Sequence, residues 1–202
     1  MINWDTGKNM MRKIILTFDD GPHPVWTERL LDLLYRYNMR VIFFVVGQKV
    51  KQYPVIVKKM IEQGHIIANH TWSHRILFAA SPETLKREIY DYGLYMRENF
   101  NYTMKFFRPP WGIISKKIVD IIKNEFGYKL LLWNRDSLDY LLPLSRNINK
   151  LIASESQEDP QIILFHDGNI LSPVCTRKHT LQTVEKLIEL KKKNIEFILP
   201  DY

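Results

Sequence analysis

Lys13-Ile14-Ile15-Leu16-Thr17-Phe18-Asp19-Asp20-Gly21-Pro22 begins as a run of apolar and β-branched residues and ends on two carboxylates and a Gly-Pro turn. An apolar run of this length suits a strand buried on both faces, and the two aspartates mark where it leaves the core. The same grammar recurs along the chain. Strand-like runs are expected at 13–18, 41–46, 65–69, 105–107, 128–133, 161–165 and 195–199, about seven in all.

Amphipathic helical stretches separate them. Leu30, Leu31, Leu34 and Tyr37 share one face, with Asn38 as a stop, and a second helix runs from Pro54 to Gly64. Ser81-Pro82-Glu83 starts a third, striped by Leu85, Ile89, Tyr92 and Met96. Ser115 can cap a fourth that contains Ile118, Val119 and Ile122; residues 144–153 supply a fifth; Leu181, Val184, Leu187 and Ile188 mark a sixth. Strands alternating with helices demand parallel pairing through right-handed crossovers, which leaves an open doubly wound sheet or a closed barrel. No Gly-rich phosphate loop follows the first strand, which counts against a nucleotide-binding open sheet. The unusual polar residues, Asp19, Asp20, His70, Arg108, Asp136 and His166, each follow a strand end, where a (β/α) barrel gathers its active-site face. The expected fold is therefore α/β, a distorted (β/α)7 barrel related to the TIM barrel, with its site at the C-terminal strand ends.

The chain has 202 residues, 46% of them hydrophobic and 25% charged, which fits one globular domain and excludes disorder. We expect an N-terminal segment over 1–12 and one catalytic domain over 13–202. No apolar run approaches the roughly 18 residues of a membrane span, and residues 1–8 lack the pattern of a secretory signal. One cysteine, Cys175, excludes an intrachain disulfide and leaves metal chemistry to His and carboxylates. The net charge of +7 favours polyanions, yet the lysines, including the 191–193 run, sit in helical patterns as solvated faces. No basic motif interleaved with aromatics reads as a nucleic-acid surface. The stretch 153–160 is loop-like but too short to divide domains.

His70 and His74 are four residues apart, so on a helical turn they would project to one side. With Asp20 they make a two-His, one-carboxylate set that suits Zn²⁺, Fe²⁺, Co²⁺ or a similar ion; without it they are polar surface. Asp19 and Asp20 repel each other unless a cation or proton intervenes, and strand alternation lets one ligate while the other faces substrate. In Arg108-Pro109-Pro110-Trp111-Gly112 the prolines hold Arg108 and the Trp111 N–H in place, ready for a carboxylate and an oxyanion; the plainer reading is a proline turn with an exposed Arg. His166 ends a strand as a candidate general acid or a buried structural histidine.

These stretches resemble the polysaccharide deacetylases of carbohydrate esterase family 4, the NodB homology domain. Thr17-Phe18-Asp19-Asp20-Gly21-Pro22, His70-Thr71-Trp72-Ser73-His74, Arg108-Pro109-Pro110-Trp111-Gly112, Asp136-Ser137-Leu138-Asp139-Tyr140 and Leu164-Phe165-His166 are similar to its five motifs, in order. The resemblance implies a distorted barrel with one divalent metal, usually Zn²⁺ but with Co²⁺, Fe²⁺, Mn²⁺ or Ni²⁺ as alternatives, that deacetylates N-acetylglucosamine in peptidoglycan, chitin or a related glycan. It implies Asp19 as base, held by Arg108, and Asp20, His70 and His74 as metal ligands. His166 is then the acid, tuned by Asp136, with Pro110, Trp111, Leu164 and Tyr140 at the substrate. Trp111 stands where Tyr is common, and Tyr140 where Trp is common. The resemblance further implies a monomer at the cell surface or secreted, with an acetylated glycan as its partner. The rivals are a catalytically silent glycan binder, a hydrolase of a small cyclic amide and a nucleic-acid binder.

Overall fold

The computed structural model describes residues 11–140, 151, 160–169, 176–190 and 195–201. Eight strands form one sheet: β1 (Arg12–Gly21), β2 (Ile42–Val45), β3 (Ile66–Asn69), β4 (Phe106–Phe107), β5 (Lys129–Leu130), β6 (Arg135–Asp136), β7 (Gln161–His166) and β8 (Ile195–Phe197). All pairings are parallel. The order is β5-β4-β3-β2-β1-β7-β6, with β8 beside the first residues of β1.

The sheet curls because its two edges are consecutive in the chain. β5 ends at Leu130 and β6 begins at Arg135, a step of five residues that reaches at most about 18 Å. A flat sheet of seven strands would hold those edges roughly 29 Å apart. Only a sheet rolled toward closure joins them, which is the distorted barrel expected from the sequence.

Side-chain alternation then sorts two faces. Ile14, Leu16 and Phe18 of β1 point outward into the main core with Phe43, Val45, Ile67, Ile163 and Phe165, under the helices. Ile15 points inward to a small core with Ile42, Phe44, Ile66, Ala68 and Phe106. Continuing the inward rows leads from Ile15 through Thr17 to Asp19, from Ala68 to His70, from Phe106 to Arg108 and from Leu164 to His166. The period of two therefore delivers four polar side chains to one rim.

The helices are α1 (Trp26–Arg36), α2 (Gly47–Gln52), α3 (Pro54–Glu62), α4 (Pro82–Leu85), α5 (Tyr92–Phe100), α6 (Lys116–Asn124) and α7 (Lys178–Glu189), and a π-helical segment, Lys86–Asp91, joins α4 to α5. Asn38 and Gly64 stop α1 and α3 at positive φ, 49° and 77°. Ser81 Oγ accepts the Thr84 N–H at the start of α4. Leu85, Ile89, Tyr92 and Met96 are all buried, as their stripe predicts. Tyr37 departs from its expected face and is 37% exposed, because α1 ends before it. β6, α2 and the π segment were not anticipated. The helix expected over 144–153, the loop over 153–160, Cys175 and the 191–193 lysines lie outside the described residues, apart from Leu151 and Pro160.

Candidate active site

The β1 ladder slips between Asp19 and Gly21, and Asp20 takes φ 72°. This bulge overturns the simple alternation argument: it keeps the Asp20 carboxylate beside that of Asp19 instead of on the other face. His70 Nε2 lies 3.7 Å from Asp19 Oδ2 and 3.5 Å from Asp20 Oδ1, and His74 Nε2 lies 3.0 Å from Asp20 Oδ1.

His70 and His74 do not share a helical turn. An irregular loop with Thr71 and His74 at φ 67° and 57° turns both imidazoles inward. Asn69 Oδ1 accepts the Thr71 N–H at 2.9 Å, and Glu88 accepts from the Ser73 N–H and Oγ–H at 2.8 Å each. Trp72 packs edge-on against Tyr92 and Tyr95. Gly47 leaves room for it, since a Cβ there would clash with the Trp72 indole. The buried Glu88 and the Gly47 contact thus anchor the histidine loop, and neither was foreseen.

Asp20, His70 and His74 offer three ligand atoms within 4.8 Å of one another, and they fit a divalent cation. His70 Nδ1 lies 2.8 Å from the Arg108 carbonyl, which can only accept, so Nδ1 carries the proton and Nε2 presents its lone pair. The 3.0 and 3.5 Å separations bracket the edge of about 3.3 Å expected for tetrahedral ligands at zinc distances. Burial works to raise the Asp20 pKa, but the neighbouring imidazoles of His70 and His74 outweigh it and hold the carboxyl well below its usual range.

Arg108 is fully buried. Its Nη1 donates to Asp19 Oδ1 at 2.7 Å and to Thr17 Oγ1 at 2.8 Å; Nε and Nη2 donate to the carbonyls of Leu131 and Leu132 at 2.9 and 3.1 Å. Its guanidinium lies 4.0 Å over the Phe44 ring. Burial lowers the Arg108 pKa and Asp19 works against that, so the pair is mutually dependent.

His166 is held by Asp139, which corrects the expected partner Asp136. Asp139 Oδ1 lies 2.7 Å from His166 Nδ1, and Oδ2 accepts the His166 N–H and the Thr180 hydroxyl at 2.8 Å each. Pairing of β6 with β7 sets Asp136 opposite Leu164, and the turn through Leu138, at φ 56°, brings Asp139 back to His166. Asp136 instead accepts the Leu138 N–H at 2.8 Å and the Tyr140 hydroxyl at 3.3 Å. Burial would lower the His166 pKa, but the hydrogen bond and charge of Asp139, with Asp20 and Asp19 behind them, push it up to about 9.

A cavity of about 280 Å³ joins these groups. Leu164, Trp111, Asp136 and Tyr140 line it, as do Trp133, Asn169 and Arg177, which were not singled out from the sequence. Trp111 is 54% exposed and meets His74 edge-on; Tyr140 meets His166 in the same way. Pro110 is buried inside its turn and is not on the cavity wall, which corrects its expected place at the substrate. Beneath the site, Lys49 Nζ donates to the carbonyls of Asp20 and Asn169 at 2.7 and 2.8 Å, tying the Asp20 loop to the loop after His166. Asp167, fully enclosed beside Thr27, is raised by burial to about 7.

The polysaccharide deacetylase family model matches residues 6–131. The chain belongs to the polysaccharide deacetylase family. It is 34% identical over 202 residues to a peptidoglycan-N-acetylglucosamine deacetylase of Bacillus cereus, covering 98% of this chain and 90% of that one. It is 30% identical over 189 residues to the peptidoglycan-N-acetylmuramic acid deacetylase PdaC of Bacillus subtilis, covering 89% of this chain and 39% of that protein. The crystal structure of the Bc1960 peptidoglycan N-acetylglucosamine deacetylase superposes with a TM-score of 0.80 at 26% identity, covering 92% of this chain and 85% of that one. This polysaccharide deacetylase thus shares the barrel of its family. Among the described residues no helix is long and apolar enough to cross a membrane.

Proposed function

We propose that this polysaccharide deacetylase is a metal-dependent hydrolase that removes acetyl groups from N-acetylglucosamine residues of a peptidoglycan or chitin-like glycan and releases acetate. The relatives' substrates support the glycan, and a wall polymer would place the work of this chain at the cell surface. The observation that carries the reading is the pairing of Asp19 with His166. They are register partners on β1 and β7, so a base and an acid leave neighbouring strands at one rim, beside Asp20, His70 and His74.

Amide hydrolysis needs a deprotonated water, a polarised carbonyl and a proton for the departing amine. A divalent cation held by Asp20, His70 and His74 would polarise the acetyl carbonyl and make water easier to deprotonate. Asp19 accepts the proton of the attacking water on Oδ2, because Arg108 occupies Oδ1 and fixes the orientation of the carboxylate. The Trp111 N–H donates to the oxyanion. His166, with Nδ1 held by Asp139, gives the proton on Nε2 to the leaving amine. Leu164 supplies an apolar wall for the acetyl methyl.

The two neighbouring aspartates separate the roles. Asp19→Asn is expected to retain metal yet lose acetate release by roughly 10² to 10⁴, the share of a general base. Asp20→Asn is expected to lose metal first. Acetate release and elemental content, measured on both variants with N-acetylglucosamine oligomers, read this directly; near-normal turnover by Asp19→Asn would remove it as base.

A further inference from the structure

The two histidines of the candidate metal site are aimed in different ways. His70 has its second ring nitrogen fixed, because Nδ1 donates to the Arg108 carbonyl at 2.8 Å. His74 Nδ1 is buried and, among the described residues, has no hydrogen-bond partner. Its ring packs edge-on against His70 and Trp111, contacts that lack the direction of a hydrogen bond. A metal-binding imidazole is normally oriented through its second nitrogen, so His74 has to be oriented by the backbone that carries it. That backbone needs holding. Thr71, a β-branched residue, takes φ 67°, a left-handed conformation that such side chains adopt only where neighbours impose it, and His74 itself takes φ 57°.

The bonds nearest His74 converge on one residue. The Gly47 and Gln48 N–H groups hold the carbonyls of Thr71 and Trp72 at 3.0 and 2.9 Å, and Asn69 Oδ1 takes the Thr71 N–H. The Trp72 N–H then donates to the Glu88 carbonyl at 2.9 Å, the Ser73 N–H to Glu88 Oε2 at 2.8 Å and the Ser73 hydroxyl to Glu88 Oε1 at 2.8 Å. Next to it the Ile89 carbonyl accepts from Asn69 Nδ2 at 3.1 Å. Glu88 and Ile89 belong to the π-helical segment Lys86–Asp91, so this turn offers the histidine loop two main-chain carbonyls as well as a carboxylate. Such π turns occur mostly at functional sites. Glu88 is buried and does not line the active-site cavity, which leaves it no direct contact with substrate. We propose that Glu88 is a positioning residue for metal binding: by holding Trp72 and Ser73 it presents His74 to the cation shared with Asp20 and His70. This inference rests on the proposed metal dependence and deepens it.

The test is the Kd for Zn²⁺, measured by chelator competition on folded, metal-free protein and set beside the melting temperature of each variant. Glu88→Met removes both side-chain acceptors and is expected to weaken Zn²⁺ binding about 10- to 100-fold, the usual weight of a group that orients a metal ligand. Glu88→Gln is expected to restore most of that affinity, since its amide can accept the Ser73 N–H and donate to the Ser73 hydroxyl oxygen. Ser73→Ala deletes the hydroxyl bond alone and is expected to weaken binding about three- to ten-fold, which keeps the proposal testable should Glu88→Met fail to fold. In a His74→Ala background, neither change is expected to move the Kd further, because Glu88 acts through His74. Wild-type affinity in Glu88→Met with a lowered melting temperature makes the residue merely structural and overturns the proposal. Wild-type affinity in Ser73→Ala overturns it too, as does a loss of equal size with and without His74. Those outcomes sink this inference alone, whereas wild-type protein that binds no Zn²⁺ sinks the proposed metal dependence with it.

Discussion

His166 can act as an acid near neutrality because Asp139 keeps its imidazole charged against the cost of burial. Removing that carboxylate lowers the His166 pKa, so the protonated form is lost at lower pH. Asp139→Asn is therefore expected to move the alkaline limb of the pH–rate profile downward and to cost part of the roughly 10² to 10⁴ that a general acid contributes. A bound dication offsets the share of the rise owed to Asp19 and Asp20, which leaves Asp139 as the partner the profile reads. Asp136→Asn removes only a turn acceptor and the Tyr140 contact, and its limb is expected to stay in place. A profile that shifts with Asp136→Asn and not with Asp139→Asn would reverse the pairing. Here the sequence is legible only in part. Asp19, Asp20, His70, His74, Arg108 and His166 each stand out by residue type after an apolar run. Two aspartates three apart on a turn look alike until the β6–β7 register and the Leu138 turn decide which one faces inward.

At the scale of elements, β3 carries a histidine just beyond each end, with opposite demands. His70 presents a free lone pair to the site, whereas His65 is packed at the far end of the strand as a neutral acceptor. His65 Nδ1 takes the Val41 N–H at 3.3 Å, and its ring sits edge-on to Phe43. Burial, helped by the charge of Arg40, pushes its pKa down to about 4. The folded value lies below the unfolded value near 6.5, so the unfolded chain binds the proton first and stability falls as pH drops from 6.5 toward 4. Chemical denaturation from pH 7 to pH 4 is expected to show a loss of about 2 to 3 kcal/mol from this group. His65→Gln keeps an acceptor and is expected to flatten that loss; parallel slopes for the two proteins would contradict it. β1, β2 and β7 are readable from sequence because they are continuous apolar runs buried on both faces. β6 is not, since Arg135 and Asp136 carry no strand signature and owe their conformation to pairing with Ile163 and Leu164. The π segment is hidden for a similar reason: it preserves the buried stripe from Leu85 to Met96, so its pattern reads as plain helix.

For the whole molecule, closure and the proposed catalysis use the same side chain. Arg108 reaches from the rim after β4 to the chain that links the two sheet edges and to Asp19 on β1, so the charge that orients the proposed base also fastens the seam of the barrel. The sequence shows parallel alternation and polar strand ends, which suffice for a barrel face. It does not show the five-residue step from Leu130 to Arg135 as a seam, because 128–133 reads there as one strand. The reaction proposed at this rim requires one divalent cation on Asp20, His70 and His74. Its most direct test is acetate release from N-acetylglucosamine oligomers by chelator-stripped protein as Zn²⁺ is titrated back. Negligible release from the stripped protein is expected, with a rise that saturates at one equivalent of metal per chain; full release from protein shown to be metal-free would contradict the proposed metal dependence.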